Sequence, residues 1–85
     1  MKEAASLKAK TVAGNIKKVR GIRNYTQDYL AAKLGISQNA YSKIELGYSR
    51  ITLERLFSIS AILEVGVIQL LDADNTDFIQ TLAQH

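Results

Sequence analysis

Only Gly35, Ile36 and Ser37 separate two stretches of helical pattern, one ending at Leu34 and the other starting at Gln38. A junction that short leaves no room for an independent loop, so the two helices must lie against each other with an abrupt change of direction. Gly35 supplies the bend, because glycine adopts positive φ without penalty. Ser37 supplies a side-chain oxygen to cap the second helix. Ala31 in the first helix is small enough to let the second approach closely.

The flanking residues extend the same reading to an all-α chain. Val12, Ile16 and Val19 recur at spacings of four and three, the signature of an amphipathic helix over about Val12 to Arg23. Thr26 is placed to cap a second helix in which Asp28 complements the dipole and Tyr29, Leu30 and Leu34 form the inward stripe. In the third helix Tyr41 and Ile44 point inward, while Gln38, Asn39, Ser42 and Lys43 recur on the opposite side. Gly47 is expected to close it. Thr52 then caps a fourth helix with Leu53, Leu56, Ile59 and Leu63 inward, and Val67, Leu70 and Leu71 belong to a short fifth helix starting after Gly66. Residues 1–11 lack a sustained apolar period and are read as a flexible basic arm, residues 12–71 as the folded domain. Residues 72–85 are an acidic and apolar tail with a turn at Asp72–Asn75 and a weak terminal segment carrying Phe78, Ile79 and Leu82.

Composition narrows the function classes. There is no cysteine or proline, and the one histidine is His85. No thiolate metal site, disulfide, histidine triad or multi-histidine metal site can be assembled from such a set. Paired carboxylates beside a nucleophile and a phosphate-cradling glycine loop are missing as well. The chain is therefore expected to be non-enzymatic, without metal or cofactor. No apolar run approaches the roughly 18 residues of a membrane span, and the first residues do not resemble a secretory signal, which predicts a cytoplasmic protein.

Charge supplies the first positive indication. From Lys8 to Arg50 nine cations stand against Asp28 and Glu45, whereas after Ile51 a single cation, Arg55, stands against five carboxylates. A basic half joined to an acidic half suits one face meeting a polyanion, although a solvated lysine-rich surface reads alike on charge alone. Tyr48, Ser49 and Arg50 follow the third helix and are candidate phosphate contacts, together with Lys17 or Lys18.

The unit T-Q-D-Y-L-A-A-K-L-G-I-S-Q-N-A-Y-S-K-I-E-L-G, from Thr26 to Gly47, is preceded by I-K-K-V-R and followed by L-x-x-L-x-x-I-S-x-I-L-x-V. It resembles the Cro and phage-repressor type helix-turn-helix family, also called XRE, over about Gly14 to Leu71. The resemblance implies a compact five-helix lambda-repressor-like bundle whose helices 2 and 3 form the helix-turn-helix. It also implies binding of double-stranded operator DNA, usually as a homodimer. Gln27 matches the family glutamine that contacts a phosphate and braces the recognition helix. Ser37, Gln38, Asn39 and Lys43 match positions that face the major groove, where Gln or Asn can bond adenine bidentately and Lys can reach guanine. In the set as a whole Gln38, Asn39, Ser42 and Lys43 are the candidate base readers, and Gln27, Ser37, Tyr48, Ser49, Arg50 and Lys17 the phosphate contacts. Arg20 and Glu45 match a structural ion pair, and a carboxylate near a helix C-terminus needs such a cation on physical grounds too. Two positions depart from the family: no proline precedes the fourth helix, and Glu64 replaces a common glycine.

Phe57, Ile62 and Ile68 exceed what the core requires and are candidate dimer contacts. Twofold pairing would set two recognition helices about 34 Å apart and predicts a palindromic operator. The expected function is that of a sequence-specific transcriptional regulator, with repressor as the default sign. The alternative is an antitoxin-like or other protein-binding module whose tail engages a protein partner while its helix-turn-helix is autoregulatory.

Overall fold

The computed structural model describes residues 2–72, 74 and 76–84, residues 2–7 by backbone alone. Those residues form six helices in the order α1 (Lys2–Ile22), α2 (Gln27–Leu34), α3 (Gln38–Glu45), α4 (Leu53–Leu63), α5 (Val67–Leu71) and α6 (Thr76–Ala83). There is no strand among them. Met1, His85, and Ala73 and Asn75 of the expected turn lie outside the described residues.

Three side-chain caps start helices where the sequence places them. Thr26 accepts from the Tyr29 N–H, Ser37 from that of Ala40 and Thr52 from that of Arg55, each at 3.0–3.1 Å. Each satisfies a donor that the first turn leaves unpaired. Gly35, at φ 71°, ends α2 in the left-handed region, and the Ile36 N–H returns to the Ala31 carbonyl at 3.0 Å. α3 ends likewise at Gly47, φ 79°, with Tyr48 N–H bonded to the Lys43 carbonyl.

The core is built by α1, α2, α3, α4 and α5 together. Val12, Ile16 and Val19 of α1 are buried with Leu30 and Ala31, Tyr41 and Ile44, Leu56, Ile59, Leu63 and Leu70. α1 is the central support, packing against α3, α4, α5 and α6. Its buried Asn15 donates to the carbonyls of Leu70 and Asp72, both at 2.9 Å, and so closes the C-terminal end of α5.

Several expectations need correction. α1 begins at Lys2, not near Val12, so residues 2–11 belong to a helix and not to an arm outside it. Residues 2–11 contain no glycine and are rich in Ala and Lys, which favour helix without any apolar period. The period marks where α1 meets the core, not how long it is. α6 is a sixth helix beyond the expected five, and Phe78, Ile79 and Leu82 on it are half-buried against the core. Tyr29 is not buried: Leu30 and Ala31 fill the inward side of α2, and Tyr29 stacks at the surface on Tyr25, with ring centroids 4.6 Å apart. Leu53, in the first turn of α4, is exposed too, and the inward stripe of that helix starts at Leu56. Ile62 is half-buried against the core, unlike the exposed Phe57 and Ile68.

Candidate nucleic-acid interface

α3 has two faces of different chemistry. Tyr41, Ile44 and Glu45 are buried, while Gln38, Asn39 and Lys43 are exposed and Ser42 is half-buried. The spacing of one, three and one residues keeps those four polar side chains on adjacent positions of the outer surface. They present amide donors and acceptors, a hydroxyl and an ammonium at the ends of side chains of graded length.

Behind this face the helix is held by one carboxylate. Glu45 accepts from Arg20 Nε at 2.5 Å and Arg20 Nη2 at 3.1 Å, from the Tyr41 hydroxyl at 2.6 Å and from Gln27 Nε2 at 3.1 Å. Arg20 Nη1 also donates to the Tyr25 carbonyl at 2.9 Å. The cluster ties α1, α2, α3 and the α1–α2 turn to one point. Burial by itself would raise the Glu45 pKa, but the hydrogen bonds from Arg20, Tyr41 and Gln27 outweigh it and hold the carboxyl below the usual range. The bond to Glu45 raises the Arg20 pKa against its own partial burial. Burial, reinforced by the neighbouring carboxylate, raises that of the Tyr41 hydroxyl, which stays a donor at neutral pH. The Arg20–Glu45 bridge is thus an ionised, bidentate pair with the Glu45 side chain only 2% exposed.

Around α3 lie the other candidate residues. Gln27 starts α2, half-buried, with one amide N–H engaged by Glu45. Ser37 is exposed and its oxygen accepts from Ala40. Tyr48 and Arg50 are exposed and Ser49 half-buried in the loop between α3 and α4, and Lys17 is exposed on α1. Gln27 and Ser37 stand at the starts of α2 and α3, and Tyr48–Arg50 follow the end of α3.

Several interactions lie outside the sequence reading. The Tyr41–Glu45 bond was detectable in principle, because the two residues are four apart on one helix. Asn15 and Arg23 carried no such signal. Arg23 donates from Nε to the Leu63 carbonyl at 2.8 Å and from Nη2 to that of Glu64 at 3.0 Å, capping α4 from 40 residues away.

Among the described residues no helix is long and apolar enough to cross a membrane. A family model described as helix-turn-helix matches residues 16–70, which contain the whole of α2, the Gly35 turn and α3. The chain belongs to the helix-turn-helix family, of the XRE type. This helix-turn-helix protein is 38% identical over 63 residues to an uncharacterized HTH-type transcriptional regulator, YqaE, of Bacillus subtilis (strain 168). The match covers 74% of the present chain and 54% of that relative, so the chain spans about half of the relative's length. No solved structure matches it significantly.

Proposed function

We propose that this helix-turn-helix protein is a DNA-binding transcriptional regulator that represses by occupying a palindromic operator as a homodimer, without catalysis. The observation that carries the reading is the two-sided α3: an exposed face of Gln38, Asn39 and Lys43, locked from behind by Tyr41, Ile44 and the bridged Glu45. A helix fixed in this way can enter the major groove and hold long polar side chains against base edges with little loss of freedom on binding. Gln38 and Asn39 suit adenine, Lys43 suits guanine, and Ser42 reaches either. Gln27, Ser37, Tyr48, Ser49, Arg50 and Lys17 are assigned to phosphates, where they set register without reading sequence. Exposed Phe57 on α4 and Ile68 on α5 supply apolar area for twofold pairing. The alternative, a tail that engages a protein partner, draws less support, since Phe78, Ile79 and Leu82 are half-buried on the protein's own core.

Selection of binding sites from a randomised duplex pool tests the reading. The wild type should enrich a palindromic consensus. A Gln38→Ala/Asn39→Ala variant should lose discrimination at the matching base pairs by about 1–3 kcal/mol for each bidentate contact removed. Absence of enrichment by well-folded protein would end the operator reading.

A further inference from the structure

The N-terminal half of α1 does not stop at the core. Among the described side chains of α1, Val12 is the first buried apolar one, and Lys8 stands one turn earlier, about 6 Å further along the axis. Lys8 lines a cleft of about 810 Å³ whose opposite wall is the loop after α3, at Tyr48, Ser49 and Arg50. Among the described residues no carboxylate lines that cleft. The Cγ of Lys10 and the Cβ of Ala13 lie against Gly47, 3.4 and 3.9 Å from the position a Cβ would take there, so α1 runs directly beside this loop. Lys10, Ala13, Lys17 and Arg20 follow one another at spacings of three, four and three, so Lys10 continues towards the N-terminus the stripe whose other end is bridged to Glu45. Lys8, Lys10 and Arg50 are all exposed, and none forms an ion pair among the described residues.

We infer that Lys8 and Lys10 form, with Arg50, a clamp for nucleic-acid phosphates on a rigid helical extension beside the recognition helix. Lys8 and Lys10, on a helix anchored in the core, flank the loop after α3 that carries Arg50, and none of the three has an ion-pair partner among the described residues. An ammonium held on such a helix binds a phosphate with less ordering cost than one on a mobile chain. The ligand is the sugar-phosphate backbone flanking the groove that α3 enters, so the clamp adds affinity without sequence preference. This rests on the DNA-binding reading above. The apolar floor of the same cleft makes a protein segment the competing occupant, which the experiment separates.

The test is the dependence of duplex affinity on salt, measured with the selected operator for wild type and for Lys8→Gln/Lys10→Gln. Glutamine keeps most of each stem and removes the charge. Taking away two phosphate-binding ammonium groups should reduce the magnitude of the slope of log K against log salt by about 1.8, with the selected consensus unchanged. Lys33→Gln, on the exposed side of α2 with its ammonium over the Tyr29 ring, controls for net charge and should leave the slope within error of wild type. Because the Lys10 stem packs beside Gly47, Lys8→Gln alone provides a second reading, with a reduction of about 0.9. An unchanged slope in folded variants while wild type binds operator overturns the clamp alone and assigns the cleft to a protein segment. A wild type that binds no duplex removes the clamp and the DNA-binding reading together.

Discussion

Glu45 shows how one buried charge can organise a binding surface. Its carboxylate receives bonds from three side chains on three helices, and only one of those partners, Arg20, carries charge. Glu45→Gln removes the anion and leaves the guanidinium of Arg20 without a counter-ion. Because Arg20 remains 16% exposed, the full cost of breaking a buried pair is reduced, and the expected loss at pH 7 is about 2 kcal/mol. The pH dependence has a definite sign. The folded Glu45 carboxyl titrates below its unfolded value, so the stability it contributes is complete above the unfolded pKa, about 4.3. That contribution disappears as pH falls through the lower folded value. Urea unfolding at pH 7 and at pH 3 should show the gap between wild type and Glu45→Gln narrowing at the acid end. A gap that widens there would mean that Arg20 and Tyr41 do not hold the carboxylate as the geometry requires.

At the scale of elements, α4 ends in an unusual way. Glu64 sits at φ 59°, in a region where a side chain costs about 1 kcal/mol or more relative to glycine. Arg23 satisfies the carbonyls at this end, and the Tyr25 hydroxyl donates to Glu64 Oε1 at a long 3.4 Å, on the exposed surface. Glu64→Gly should therefore raise stability by about 0.5 kcal/mol, the relief of strain being partly offset by the entropy of an unfolded glycine. Thermal unfolding would reveal it as a higher midpoint; a lower one would give the weight to the Tyr25 bond. This helix end also shows what the sequence could convey. Caps at Thr26, Ser37 and Thr52 and the turns at Gly35 and Gly47 were legible because donor and acceptor are a few residues apart. The polar face of α3 was legible for the same reason, since helical spacing alone sorts Gln38, Asn39 and Lys43 from Tyr41 and Ile44. Arg23 and Asn15 were not, because their acceptors lie 40 and 55 residues away and any polar residue on α1 would have looked the same. The length of α1 escaped too, because alanine and lysine build helix without announcing a face.

For the whole molecule, the unburied apolar groups matter most. Phe57 is 57% and Ile68 76% exposed, on the outer sides of α4 and α5. Under the dimer reading, Phe57→Asp/Ile68→Asp should keep the helical content and unfolding midpoint close to wild type, because neither side chain belongs to the core. Sedimentation should then find the variant as a monomer where the wild type is a dimer. Persistence of the dimer would move the interface elsewhere on the molecule. The tie between Asn15 and the end of α5 has a bearing on how the chain is made. As the polypeptide leaves the ribosome, the buried face of α1 emerges well before the carbonyls its Asn15 amide requires, at Leu70 and Asp72, which follow 55 and 57 residues later. The paired helices α2 and α3 need only a three-residue bend and can assemble early, so the nascent chain carries a formed helix-turn-helix before its scaffold is complete. A message cut short after α4 would thus yield a product with α2 and α3 complete and their scaffold open, a species for proteases to remove.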